Sequence, residues 1–329
     1  MRNYNYVVLG SASDLYMFSY SDLFSESDVK YIPDIKCLLK KRYSLYRLHK
    51  RLFVKYGVGG LSFWNRFLKI EDFEEKRPIC FVYMWSWVCF NDKTKIVEHF
   101  KNKYPDSKHV LFMQDITYSF DPKHETYNPI DFRRDFDIIY SFDPGDCEKY
   151  GFTYHPLVFS SYKKHGLPVI YDVYMLALAK NRLETIYDMY NLLSSHGLSL
   201  CFILVGVPEE KRINKPGLIY MNHVSYEKNL LFIEQSRCLL EIMQKNGIGY
   251  TQRGCEAVCL GKKLLTNNSY ISNEPFYNPN FISVYSKEKG VDVVFLNKIK
   301  DEEEVDYGVD YRMAMSPIKL LDQIETRLR

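Results

Sequence analysis

The amino-acid sequence predicts an α/β protein built from two Rossmann-like, doubly wound parallel-sheet domains in tandem. Three observations carry this reading. Short apolar runs alternate with amphipathic stretches of helical period, the pattern of strands wrapped by helices. That pattern breaks at the polar run Ser160-Ser161-Tyr162-Lys163-Lys164-His165-Gly166-Leu167-Pro168 and then restarts. The length of 329 residues suits two domains of about 150 residues each.

In the first half, Tyr6-Val7-Val8-Leu9-Gly10 reads as a buried strand running into the small-residue turn Gly10-Ser11-Ala12-Ser13-Asp14. A basic amphipathic segment follows from Pro33 to Tyr56. Strands are then predicted at Ile79 to Met84, Val110 to Met113, Phe136 to Tyr140 and Thr153 to Val158, with helices at Lys93 to Phe100 and Asp146 to Tyr150. In the second half, strands are predicted from Val169 to Tyr174, Leu200 to Val205, Leu218 to Met221, Cys238 to Ile242, Lys263 to Thr266, Ile282 to Tyr285 and Val293 to Leu296. Helices are predicted from Lys180 to Ser195, Tyr226 to Gln235 and Pro317 to Leu328. The domain boundaries follow: 1–165 with the basic segment 33–69 inside it, 166–314, and a terminal helix in 315–329 that packs back on the first domain. A ligand crevice is expected between the domains, at the carboxyl ends of the strands.

Apolar content of 46% and charged content of 26% are those of an ordinary globular protein. The eight cysteines are scattered without a CxxC pair, which fits reduced core thiols in the cytosol. No signal-peptide pattern opens the chain at Met1-Arg2-Asn3-Tyr4. The longest apolar run, near Phe81 to Phe90, falls short of the roughly 20 residues needed to span a bilayer. A net charge of +3 argues against a dedicated nucleic-acid binder. The charge is nevertheless segregated. Lys36, Lys40, Lys41, Arg42, Arg47, Lys50, Arg51, Lys55, Arg66 and Lys69 occur with no Asp or Glu among them, interleaved with Leu, Phe, Tyr and Trp. Such a segment is either a solvated helix face or a surface for anionic lipid headgroups, and no nucleic-acid motif accompanies it. The expected location is cytoplasmic, peripheral on the inner face of the cell membrane.

The stretch Gly247 to Asn268 carries the most chemistry. It reads as a glycine-bearing turn with Gly249 and Tyr250, a helix capped by Thr251, a stop at Gly261 and a short apolar strand. A helix N-terminus offers unpaired N–H groups to an anion, and Arg253 adds a forked cation beside them. Glu256, three residues on, shares the helix face of Arg253. Phosphate and sugar hydroxyl are the ligands such a pair suits. Lys180 and Arg182 sit at a helix start, where a cation opposes the macrodipole, and that mild cost points to function. Asp14 and Asp115, each just past a strand, are candidates for a general base. Asp14 also reads as a helix cap and Asp115 as a turn former. The histidines show no zinc spacing.

Four pieces of the second half resemble bacterial sugar-nucleotide glycosyltransferases of the GT-B fold, especially those of capsule and lipopolysaccharide assembly. These are Lys180-Asn181-Arg182-Leu183-Glu184, Leu204-Val205-Gly206, Val224-Ser225-Tyr226-Glu227-Lys228-Asn229-Leu230, and Glu256-Ala257-Val258-Cys259-Leu260-Gly261-Lys262-Lys263. The resemblance implies a nucleotide-diphosphate sugar donor, a surface-glycan or lipid-linked acceptor, and no metal or other cofactor. It implies that Lys180, Arg182 and Arg253 meet the diphosphate, that Gly206 lies under the donor, that Tyr226 lies near the base, and that Glu256 binds the ribose. Ile248 stands where many retaining members carry a second glutamate, which leaves the stereochemistry of transfer open. A sugar-nucleotide 2-epimerase and a non-catalytic nucleotide-sugar-binding subunit are the alternatives.

Overall fold

Apolar runs such as Ile79–Met84 and Leu200–Val205 have no polar alternation because their strands are buried on both faces, as parallel sheets covered by helices require. The computed structural model describes residues 2–89, 94–115, 131–243, 248–286 and 288–329. Gly247, Lys93 and Phe90, which entered the expectations above, lie outside the described residues.

The chain divides into two compact units, Met1–Ser160 with Ser316–Arg329, and Ser161–Met315. The first is built from β1 (Asn5–Leu9), α1 (Asp14–Ser19), β2 (Val29–Ile32), α2 (Ile35–Leu39), α3 (Tyr43–Tyr56), β3 (Ile79–Met84), α4 (Trp85–Val88), α5 (Ile96–Lys103), β4 (Lys108–Met113), β5 (Ile138–Ser141), α6 (Pro144–Tyr150) and β6 (Thr153–Tyr154). Its sheet runs β2-β1-β3-β4-β5-β6, and every pairing is parallel. The order turns back on itself between β1 and β3, the crevice where such sheets hold ligands. Val7, Leu9, Phe81 and Leu111 fill one face of this sheet. Tyr6, Val8, Val82 and Phe112 fill the other, where the terminal helix contributes Leu320, Leu321 and Ile324. Glu325 of that helix accepts hydrogen bonds from Tyr6 Oη at 2.9 Å and from the Asn3 amide at 2.8 Å.

The second unit comprises β7 (Tyr171–Leu178), α7 (Leu183–Ser195), β8 (Leu200–Val205), β9 (Leu218–Met221), α8 (Tyr226–Glu234), β10 (Ser236–Glu241), α9 (Gln252–Leu260), β11 (Lys263–Thr266), β12 (Ile282–Val284), α10 (Val293–Lys298) and α11 (Val309–Ala314). The terminal helix, α12 (Pro317–Leu328), returns to the first unit. All pairings of the second sheet are parallel, in the order β12-β11-β10-β7-β8-β9. Its switch point falls between β7 and β10.

One predicted strand is a helix. Val293 to Leu296 begins α10, with Asp292 as cap through Oδ1 to the Val294 amide at 2.8 Å. Phe295 and Leu296 are buried while Val293 and Val294 are exposed, so burial does not alternate as a strand would require. The predicted strand Thr153 to Val158 keeps only its first two residues. Among the described residues no helix is long and apolar enough to cross a membrane.

The glycine stop of α9 is a steric requirement. Gly261 has φ of 62°, and a Cβ there would stand 2.6 Å from the Val305 carbonyl oxygen. Gly261→Ala is therefore expected to destabilise the second unit by more than about 1 kcal/mol in urea denaturation.

Candidate functional site

The carboxyl edge of the second sheet gathers most of the predicted donor residues. After β7 the chain turns through Lys180, an exposed non-glycine residue with φ of 42°. That conformation costs about 1–2 kcal/mol and persists only where its surroundings enforce it. Two residues on, the Arg182 guanidinium donates to Leu178 O at 2.8 Å and to Ile242 O. It thus ties the loop after β7 to the loop after β10, across the switch point. Burial lowers its pKa, although Glu241 and Tyr285 act against this. Two of its nitrogens are engaged by carbonyls, and Nε has no hydrogen-bond partner among the described residues.

The next loop leads into α9. Thr251 caps the helix, its Oγ1 accepting from the Arg253 amide at 3.1 Å. A helix start leaves four N–H groups without intrahelical partners, and this cap satisfies one of them. The same hydroxyl donates to Glu241 Oε1 at 2.5 Å, while Thr266 Oγ1 donates to Glu241 Oε2 at 2.5 Å. Glu241 ends β10 and is buried. Sequence reasoning passed over it; a carboxylate closing an apolar strand was the available signal. Asn268 Nδ2 donates to the carbonyls of Ile248 and Gly249, and Asn267 Oδ1 accepts from the Met243 amide at 2.7 Å. The loop is thus pinned on either side of residues 244–247.

Arg253 and Glu256 form a buried ion pair, Nη1 to Oε2, at 2.6 Å. The guanidinium also donates to Leu176 O at 3.3 Å and lies 5.4 Å from the Tyr174 ring centroid. Glu256 Oε1 accepts from Tyr226 Oη at 2.8 Å and Asn229 Nδ2 at 3.0 Å, and Gln252 Nε2 donates to the same tyrosine at 3.1 Å. Burial raises the Glu256 carboxyl above its ordinary range, opposed by Arg253, Tyr226 and Asn229. Burial pulls Arg253 down, yet Glu256 and its other neighbours carry it above its usual value. The guanidinium at contact distance is the first of the groups that oppose the effect of burial on Glu256.

The remaining predicted residues divide. Gly206 follows β8, exposed, with φ of 75°, a conformation that suits glycine. Tyr226 is buried with its hydroxyl on Glu256. Tyr250 packs edge-on against Phe276 at 5.3 Å, and a Cβ on Gly254 would meet it at 3.1 Å. Tyr250 therefore belongs to the packing beneath the helix start.

Asp14 and Asp115 are both exposed and belong to the first unit. The capping role expected of Asp14 falls to Ser13, whose Oγ accepts from the Tyr16 amide. Asp14 stands in the first turn of α1, and Asp115 follows β4. Burial raises the phenol of Tyr16, on α1, and the charge of Asp115 adds to the effect.

A cavity of about 330 Å³ opens at the switch point of the first sheet. Ser11, Asp34, Tyr46, Lys50, Trp87 and Thr94 are among its lining residues. Trp87 Nε1 donates to Gly10 O at 2.7 Å, and the Tyr31 ring approaches so closely that a Cβ on Gly10 would overlap it. The Thr94 hydroxyl is buried without a hydrogen-bond partner among the described residues. No motif announced this cavity.

No protein-family model matches the chain, and no curated protein matches it in sequence. Solved structures do match. An alpha-glucosyltransferase in complex with UDP and a 13-mer DNA containing a central A:G mismatch is 12% identical, with a TM-score of 0.57, covering 98% of this chain and 99% of that one. The fold is of the GT-B type. A second structure, a putative UDP-N-acetylglucosamine 2-epimerase from Listeria monocytogenes, is 10% identical, with a TM-score of 0.50, covering 100% of this chain and 97% of that one. At such identities the likeness concerns the fold.

Proposed function

We propose that the chain is a glycosyltransferase that takes its sugar from a nucleotide-diphosphate donor. One observation carries this reading: α9 directs a capped N-terminus, Arg253 and Glu256 at the carboxyl edge of the second sheet, next to the switch point. In the reaction, an acceptor hydroxyl attacks the anomeric carbon, the bond to the diphosphate oxygen breaks, and the hydroxyl proton passes to a base. Negative charge grows on the departing diphosphate, where the helix dipole, the exposed Lys180 and the remaining N–H groups of Arg253 stabilise it. An ionised carboxylate offers about four acceptor positions. Glu256 uses two, both on Oε1, and Oε2, in contact with Arg253 but without a hydrogen-bond partner among the described residues, is the oxygen left for a ribose hydroxyl. Gly206, Tyr226, Gly249 and Thr251 belong to the same edge of the sheet, where Arg182 ties the loop after β7 to the loop after β10. The acceptor in this reading is a surface glycan carried on a lipid, and Asp14 or Asp115 supplies the base.

With cations of the chain itself facing the diphosphate, turnover is expected to survive EDTA. Loss of activity on chelation and its return with a divalent ion would refute that. Uridine diphosphate, the nucleotide in one structural neighbour, is the first to try. At a concentration 100 times its Kd, a ligand of the native state adds about 2.7 kcal/mol of apparent stability. A thermal-shift series of nucleotide sugars therefore tests the reading, and no shift with any of them would sink it. A 2-epimerase of the same fold is separated by its products: it converts the nucleotide sugar with no acceptor present.

A further inference from the structure

Helix α3 carries two apolar stripes, and the protein uses only one. Tyr43, Tyr46 and Phe53 turn inward and pack with Leu61, Trp64 and Phe67 in the core of the first unit. Leu45, Leu48, Leu52 and Tyr56, at helical spacing, form a second stripe that is 62%, 55%, 40% and 64% exposed. Beside it run Arg47, Arg51 and Lys55, one turn apart and exposed. None of these three pairs with a carboxylate among the described residues, and the chain has no acidic residue from Lys36 to Ile70. The helix ends at Gly57, in the left-handed conformation, and exposed Val58 and Phe63 follow, with Arg66 4.2 Å from the Phe63 ring centroid.

We propose that this outward face of α3 docks on an anionic lipid bilayer. A row of exposed leucines is unfavourable in water, whereas the boundary between headgroups and acyl chains accepts it. The flanking cations then meet lipid phosphates at about 1 kcal/mol each. A nucleic acid would engage the cations and leave the leucines in water, so the apolar stripe decides for the bilayer. The docking stands without the donor chemistry. Only its corollary, that the acceptor is presented from a membrane, rests on the transferase reading. Tyr46 and Lys50, on the flanks of the same helix, line the 330 Å³ cavity.

The test is flotation of the full chain with vesicles of phosphatidylcholine, with or without phosphatidylglycerol. The chain should float with the anionic vesicles at low salt and stay behind at high salt or with phosphatidylcholine alone. The exposed pair Leu48→Asn/Leu52→Asn should weaken binding about tenfold or more. Arg47→Gln/Arg51→Gln should weaken it about 30-fold. Unchanged thermal melts confirm that both variants fold. Failure of the wild-type chain to float would overturn the proposal, as would undiminished flotation of the leucine variant. Binding to a DNA duplex in preference to the vesicles, or concentration-dependent dimers in place of vesicle binding, would also overturn it. A nucleotide-sugar thermal shift on the same preparations reports the donor reading separately, so the two can fail independently.

Discussion

Glu256→Ala is expected to destabilise the second unit by about 3–5 kcal/mol, because it leaves the buried Arg253 guanidinium uncompensated. The hydroxyl of Tyr226 and the amide of Asn229 lose their acceptor as well, and each unsatisfied buried donor adds to the cost. For a unit of this size the melting temperature of its transition should fall by roughly 10 °C or more. A change within about 1 kcal/mol would mean that the pair is not buried as described. The double variant Arg253→Met/Glu256→Leu separates scaffold from site. Exchanging a buried ion pair for apolar residues of similar volume is often neutral or stabilising, so most of the stability should return. The thermal shift given by a nucleotide sugar should not return. A double variant that is both stable and fully donor-responsive would remove Arg253 and Glu256 from the binding site.

That pair also marks how far the sequence could be read. The three-residue spacing of Arg253 and Glu256 placed them on one helix face, Thr251 was legible as the cap, and Gly261 as the stop. What spacing alone could not reveal is that the two side chains turn toward each other. Their orientation depends on Tyr226 and Asn229 of α8 and on Tyr174 of β7, all remote in sequence. Arg182 is a similar case. Its position at a helix start suggested a phosphate ligand; nothing in the sequence pointed to the carbonyl it also holds, that of Ile242, sixty residues away. The doubly wound fold was legible because its strands are continuous apolar runs. Val293 to Leu296 failed for the same reason: four apolar residues have no period, and Asp292 was the only local sign of a helix. The first-unit cavity was invisible because its walls come from segments spread between Gly10 and Ile96.

The second large effect expected is on chemistry: one of Asp14→Asn and Asp115→Asn should lower the turnover of glycosyl transfer about 10²–10⁴-fold, and the other should leave it nearly unchanged. Both positions follow strands of a parallel sheet, at the edge where doubly wound folds hold ligands. Ser13 is the N-cap of α1, and Asp14 Oδ1 accepts from the Leu15 amide at 3.1 Å in the first turn. Asp115 stands near enough to Tyr16 of α1 for its charge to raise that phenol. Both carboxylates are exposed, so asparagine should leave the melting temperature close to that of the native chain, and a loss of turnover cannot be blamed on unfolding. The measurement is nucleoside diphosphate release across a pH series. The true base sets the acid limb of the rate profile, so its asparagine variant should lose that limb along with the rate. If both variants keep the native rate and profile, neither carboxylate takes the proton. If both lose the rate equally while donor binding is unchanged, they act as a coupled pair, and a double variant should then cost little more than either alone.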